Sequence, residues 1–241
     1  GEQVVLKVQY PHAESQFEAE ALRHLAGNGA VRLLDHDPST NALLLERCEP
    51  GTHLSTRPAK EALQVFIQLL PKLWIPASAP FKTLEQEAAE WANELPKSYD
   101  RAGRPFEPEL LEATLDLLRT MPGTQRESVL LHQDLHADNV LYAGDRGWLA
   151  IDPKPLLGEK AFGLAPIIRS HELGHSREAV IDRLQILTRA LDLDMGRVRG
   201  WAIAQTVAWA FEGDSEGDSQ IDRVIPKHLD TARWLLDHNP Q

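Results

Sequence analysis

Residues 129–154 read VLLHQDLHADNVLYAGDRGWLAIDPK, and the fold follows from how this string closes on itself. Val140-Leu141-Tyr142 and Trp148-Leu149-Ala150-Ile151 are apolar runs separated by Gly144-Asp145-Arg146-Gly147, the pattern of a β-hairpin. Hairpin arms lie ~5 Å apart, so the residue entering the first arm meets the residue leaving the second. Those residues are Asn139 and Asp152. So few hard oxygen ligands suit Mg²⁺, which keeps waters and takes its remaining ligands from phosphates. Asp134 precedes Asn139 by five residues in a polar loop, placed to accept a proton from a hydroxyl. A base, a metal-binding amide and a metal-binding carboxylate in that order are the parts of a phosphoryl-transfer site.

The upstream segment supplies the complement. Gln3 to Gln9 alternates, with Val4, Leu6 and Val8 on one face and Val5 and Lys7 on the other, which predicts a half-buried strand. Phe17, Ala21, Leu22 and Leu25 then form a helical stripe that stops at Gly27 and Gly29. Ala30 to Asp35 and Ala42 to Glu46 read as strands joined into a hairpin by Pro38-Ser39-Thr40-Asn41. A strand lysine, Lys7, followed by a helix bearing Glu18 suits an ion pair that holds the α- and β-phosphates of a nucleotide. Glu46-Arg47-Cys48 lies where an adenine finds backbone hydrogen-bond partners.

Beyond Pro50 the periodicity becomes helical. Ala62, Leu63, Phe66, Leu69, Leu70 and Leu73 share one helical face. Thr83 stands three residues before Gln86, a capping box that opens a second helix, expected to break at Pro96. A third runs from Pro108 to Arg119. Val129 to Leu131 adds a short strand, and from Phe162 onward the pattern is helical again, with a polar break at Gly213 to Gly217. The expected fold is α+β and two-lobed. Residues 1–48 form a small, β-rich, nucleotide-binding lobe, and residues 49–241 form a larger helical lobe with the catalytic loop and the substrate site.

Composition excludes several classes. The 241 residues are 42% hydrophobic and 25% charged, as in globular domains. No apolar stretch reaches the ~20 residues of a membrane span. The start, GEQVVLKVQY, lacks the basic region and apolar core of a signal peptide. A lone cysteine, Cys48, forms neither an internal disulfide nor a thiolate zinc site. These features predict a cytoplasmic chain with no membrane partner, a monomer or a weak dimer. The net charge of −11 comes without any basic run, so nucleic acid is not an expected partner. An acidic surface attracts a cationic small molecule instead.

The strings HQDLHADN, WLAIDPK and GE resemble those of the aminoglycoside and hydroxyurea phosphotransferases, streptomycin 6-kinases in particular, which are relatives of the protein kinases. Gly29 to Asp37, Leu43 to Thr52 and Arg197 to Gln205 are similar to that group as well. The resemblance implies a protein-kinase-like fold with Asp134 as catalytic base, Asn139 and Asp152 as Mg²⁺ ligands, and Lys7 with Glu18 positioning ATP. The family has two strands and a phosphate-covering turn ahead of the lysine, and this sequence begins without them. It also departs from the family at Gln133, where a small residue is usual, at Pro155, where glycine is expected, and at Gly163, where aspartate is common.

The resemblance implies an ATP-dependent kinase that phosphorylates a hydroxyl of an aminoglycoside, with streptomycin the leading acceptor. The same chemistry on hydroxyurea or another alcohol is the nearest alternative. His132, Asp134, His136 and Asp138 alternate as if they ligated one transition metal, which keeps a metal-dependent hydrolase in view. A kinase-like binding module without turnover is the third reading. His132 and His136 read as structural hydrogen-bonders, Cys48 as buried packing, and Trp201, Ala204 and Ala208 as core. The acidic run of Glu212, Asp214, Glu216, Asp218 and Asp222 reads either as a solvated loop or as a rim that recognises guanidinium and ammonium groups; Glu172 is a second candidate for the latter role.

Overall fold

The computed structural model describes residues 3–8, 16–212 and 223–238. Contacts divide the chain into two compact units: Gly1–Lys82 with Glu127–Gly163, and Thr83–Arg126 with Leu164–Gln241. This division differs from a boundary after Cys48, because the hairpin from residue 140 to 150 is bonded to backbone on both sides of that residue. Val31 donates to the Ala150 carbonyl (3.0 Å), Ala150 to Gly29 (2.8 Å), and Gly51 to Tyr142 (3.0 Å).

In the first unit, β1 (Val4–Val8) and β2 (Leu33–Asp37) flank β3 (Ala42–Glu46) in an antiparallel sheet. Lys7 stands opposite Leu43, and the β2 register slips between Leu33 and Asp35. The predicted second strand thus starts three residues late; Ala30 forms an isolated parallel bridge to Ala150 instead. Helix α1 (Glu18–Leu25) buries Ala19, Ala21, Leu22 and Leu25 together with Glu18. The expectation for β1 needs correction: Val4 and Val5 are about two-fifths exposed, Leu6 and Val8 about two-thirds. Alternation tells which residues share a face, but of the five strand residues only Lys7, which reaches Glu18 and Asp152, is partly covered. Helix α2 (Ala59–Leu73) buries all six residues of its predicted stripe.

Further along this unit, β4 (Val129–Leu131) pairs with β7 (Leu156–Gly158), and β5 (Val140–Tyr142) pairs with β6 (Trp148–Ala150). Within the second pair Val140 faces Ala150 and Tyr142 faces Trp148, one residue off the Asn139–Asp152 pairing expected from the sequence: the second arm ends at Ala150, and it is Ile151 that stands opposite Asn139, with Asp152 the next residue along. Gly144 (φ +58°) and Gly147 (φ +71°) take the left-handed conformations that close this turn. Strand β7 went unread in the sequence, since three residues after a proline show no period.

The second unit is helical. Helix α3 (Leu84–Arg101) opens with the capping box: Gln86 N donates to Thr83 Oγ1 (3.2 Å) and Thr83 N to Gln86 Oε1 (2.9 Å). It does not break at Pro96. Leu95, Ser98 and Tyr99 are buried on either side, and their packing offsets the roughly 3 kcal/mol cost of an interior proline. Helix α4 (Pro108–Thr120) starts at its proline, and α5 (Ala165–Ile168) and α6 (Arg177–Leu191) follow. Helix α7 (Met195–Ala208) is buried nearly all round, with Trp201 and Ala204 fully enclosed and Ala208 half-buried. A short pair, β8 (Phe211–Glu212) and β9 (Arg223–Val224), precedes α8 (Pro226–Leu236). Arg183 holds this unit from inside, donating to the carbonyls of Ile168 (3.0 Å) and Gly174 (2.8 Å). Burial lowers its pKa to about 10, so the guanidinium stays charged.

Candidate active site

The site lies within the first unit and is built on two loops that hold each other. The His132 carbonyl accepts from two amides, Asp134 N (2.8 Å) and Lys154 N (3.0 Å). His132 Nε2 donates to the Ile151 carbonyl at 2.8 Å. Ile151 N in turn donates to the Asn139 carbonyl at 3.0 Å. Gln133 and Asp152 both adopt left-handed backbone, φ +62° and +58°. Such conformations are costly for non-glycine residues, of order 1–3 kcal/mol each, and persist where the surroundings fix them.

Burial lowers the His132 pKa to about 4, outweighing the opposing pull of Asp134, so the ring is neutral near pH 7. With Nε2 engaged by a carbonyl, His132 is a structural hydrogen-bonder, as the sequence suggested. Among the described residues, His132 and Asp134 do not join His136 and Asp138 in a group of potential metal ligands, so the four alternating residues of the hydrolase reading do not converge on one metal.

Asn139 donates from Nδ2 to the Asp134 carbonyl (2.9 Å), which leaves its amide oxygen as the atom to offer a cation. Asp152 follows on the neighbouring loop with its side chain half exposed. Lys7 joins the two halves of the site. Its ammonium lies 2.7 and 2.9 Å from the two oxygens of Glu18 and also contacts Asp152 Oδ1. Glu18 is 1% exposed while Lys7 and Asp152 are partly open to solvent, so the lysine links a buried carboxylate to an accessible one. The Asp134 carboxylate is mostly buried, with Lys154 Nζ 3.3 Å from Oδ2 and His136 Nε2 3.9 Å from Oδ1.

Glu46 is engaged by its own unit: Oε2 accepts from Arg32 N (2.9 Å) and contacts the Arg146 guanidinium, which also reaches the Gly27 carbonyl. Cys48 is buried, and burial, reinforced by Glu46, pushes its thiol up to about 11, so it is not a thiolate. Glu172 lies exposed in the second unit, in a turn with His171. Asp214, Glu216, Asp218 and Asp222 lie outside the described residues. Two participants escaped the sequence reading. Lys154 was legible only as the last letter of DPK, and Arg146 only as a turn residue, because their partners are distant in the chain.

A donor set of one amide oxygen and one carboxylate fits Mg²⁺, which accepts few protein ligands and completes its shell with water and phosphate. The arrangement as a whole offers a carboxylate base, a hard-cation site and a lysine near it.

The family described as "Aminoglycoside/hydroxyurea antibiotic resistance kinase" matches residues 1–217. The chain is 36% identical to a streptomycin 6-kinase of Streptomyces griseus over 98% of its own length and 78% of that protein's. It is 37% identical to a hydroxyurea phosphotransferase of Kitasatospora aureofaciens, over 86% of this chain and 61% of that one. Among solved structures, a choline kinase, LicA of Streptococcus pneumoniae, superposes with a TM-score of 0.67 at 12% identity, covering 98% of this chain and 87% of that chain. A thermostable mutant of the aminoglycoside phosphotransferase APH(4)-Ia, in ternary complex with ADP and hygromycin B, gives 0.61 at 15% identity, covering 96% and 83%. The kinase-like fold expected from the sequence is therefore the fold observed, and the chain belongs to the aminoglycoside/hydroxyurea antibiotic resistance kinase family.

Proposed function

We propose that this protein transfers the γ-phosphoryl group of ATP to a hydroxyl of an aminoglycoside, with streptomycin the leading acceptor, and so inactivates the antibiotic. The observation that carries this reading is the mutual fixing of Asp134, Asn139 and Asp152, with Lys7 and Glu18 in the same unit. The streptomycin 6-kinase relatives support the choice of acceptor.

In this reading the Asn139 amide oxygen and the Asp152 carboxylate would hold Mg²⁺, which would supply positive charge against the phosphates. Lys7, kept in place by Glu18, binds the α- and β-phosphates, and the Glu46 to Cys48 segment receives the adenine. Asp134 orients the acceptor hydroxyl and takes its proton as the oxygen attacks phosphorus. The new O–P bond forms as the bond to ADP breaks, and ADP leaves with the electron pair. Glu172, Asp214, Glu216 and Asp218 recognise the cationic groups of the antibiotic. The place of action is the cytoplasm, where ATP is supplied; among the described residues no helix is long and apolar enough to cross a membrane.

The hydroxyurea phosphotransferase relative favours one second reading, the same transfer onto hydroxyurea. An ATP-consumption screen across a panel of aminoglycosides and hydroxyurea, with and without Mg²⁺, tests both. Mg²⁺-dependent turnover with streptomycin and a product carrying one added phosphate is the expected result. Turnover with hydroxyurea alone selects the second reading, and no turnover above background contradicts the proposal.

A further inference from the structure

Lys154 stands out among the groups that the reaction above does not use. Its ammonium is 3.3 Å from Asp134 Oδ2, the carboxylate read here as the base. This is not a surface lysine that has drifted toward a charge. Its amide is bonded to the His132 carbonyl (3.0 Å), the same oxygen that accepts from Asp134 N (2.8 Å), so one acceptor sets the two backbones relative to each other. Pro153 and Pro155 flank it, both buried, and their rings fix φ on either side. Just beyond, β7 is paired with β4, the strand that leads into His132. Lysine and base are therefore carried on a single stiff piece of backbone.

We infer that Lys154 is a catalytic residue of the phosphotransfer, an ammonium that meets the phosphoryl group in transit. The inference rests on the phosphotransfer reading. A general base lies within about 2.6–3.2 Å of the hydroxyl oxygen it deprotonates. The phosphorus arrives on that same oxygen, and its equatorial oxygens carry the spread charge of the loose transition state. A flexible four-carbon stem lets the ammonium turn from Asp134 to those oxygens without any backbone movement. Lys154 keeps its proton throughout. It supplies charge and N–H donors where charge develops, an interaction stronger in the transition state than in the ground state. Lys7, paired with Glu18 and touching Asp152, is placed for the diphosphate that leaves.

A transition-state mimic separates this role from a structural one. The affinity of the full chain for MgADP is measured by calorimetry with and without aluminium fluoride, streptomycin being present. For the unaltered protein the fluoride should tighten binding at least tenfold. Lys154→Met should bind MgADP within threefold of that protein yet lose most of the gain, and Lys154→Arg should keep most of it. In turnover, Lys154→Met should lower kcat at least a hundredfold, with KM for ATP and for streptomycin moving less than threefold. If Lys154→Met fails to fold, Lys154→Gln carries the same comparison. An equal gain from fluoride in the unaltered and charge-deleted proteins overturns the role of Lys154 and leaves the phosphotransfer reading intact. An unaltered protein that does not bind MgADP overturns that reading and the role of Lys154 with it.

Discussion

His132 and Ile151 are joined by one hydrogen bond, Nε2 to carbonyl oxygen at 2.8 Å, and this bond ties the loop of Asp134 to the turn of Asp152. The ring is buried and neutral, and its Nδ1 has no partner among the described residues. His132→Phe keeps a ring but removes the donor, leaving a buried carbonyl unsatisfied. Stability should fall by about 1–3 kcal/mol in urea melts. A loss below about 0.5 kcal/mol, within the range of neutral surface changes, would mean that the two loops are held by other contacts.

Lys7 and Glu18 form a coupled pair. Lys7→Met removes the ammonium from a carboxylate that is 1% exposed. It should destabilise the fold by about 1–2 kcal/mol, discounted for the partial exposure of the lysine. Adding Glu18→Gln removes the buried charge and should recover most of that loss, although neither variant should bind ATP well. A double-mutant cycle with no coupling in the melts would contradict the ion pair.

Asp152 supplies the one carboxylate of the proposed cation site. Asp152→Ala should weaken MgATP binding at least tenfold while leaving metal-free nucleotide binding unchanged or slightly improved, since a negative charge is lost near Lys7. A calorimetric Mg²⁺ titration checks this. An unaltered Mg²⁺ dependence in the variant would place the cation elsewhere.

Two partly buried histidines contribute to the acid sensitivity. Burial lowers the pKa of His171 to about 4, aided by His175 and Lys227, and that of His228 also to about 4, aided by Arg169. Unfolded histidines titrate near 6.5, so below that pH the unfolded chain takes up protons that the folded chain refuses. Stability is therefore full above about pH 6.5 and lost progressively down to about pH 4. His228 should contribute at most roughly 1 kcal/mol of loss between pH 7 and 5.5, and His171 less, because water screens its partly exposed ring. Glu107, held below the usual carboxylate range by its hydrogen bond to Arg233, acts only at lower pH and does not blur this window. Urea melts at the two pH values measure the effect. A flat profile, or one unaffected by His171→Gln with His228→Gln, would contradict it.

Much of the site was legible because its key residues follow short-range rules. The hairpin brings Asn139 and Asp152 to one end, though one residue out of the expected register, and a strand lysine followed by a helical glutamate gave the Lys7–Glu18 pair. What was not legible depends on contacts distant in sequence. Nothing near Lys154 says that its amide returns to His132, and nothing near Arg146 says that it reaches Glu46. Pro96 misled for the opposite reason: a local breaker was overruled by buried neighbours on the same helix. The alternation of β1 was read correctly, but burial is a property of what packs on a strand, which its own residues do not encode. The substrate side stayed the least legible, since the acidic run that suggests a cationic partner falls largely outside the described residues.

In the proposed reaction Asp134 accepts the hydroxyl proton and does not ligate the metal. Asp134→Asn preserves shape and removes basicity. In a coupled assay with streptomycin, its kcat should fall by about 10²–10⁴ while MgATP affinity, measured by calorimetry on the same preparation, stays within a few-fold. Loss of MgATP binding together with turnover, or a kcat close to that of the unaltered enzyme, would contradict the account.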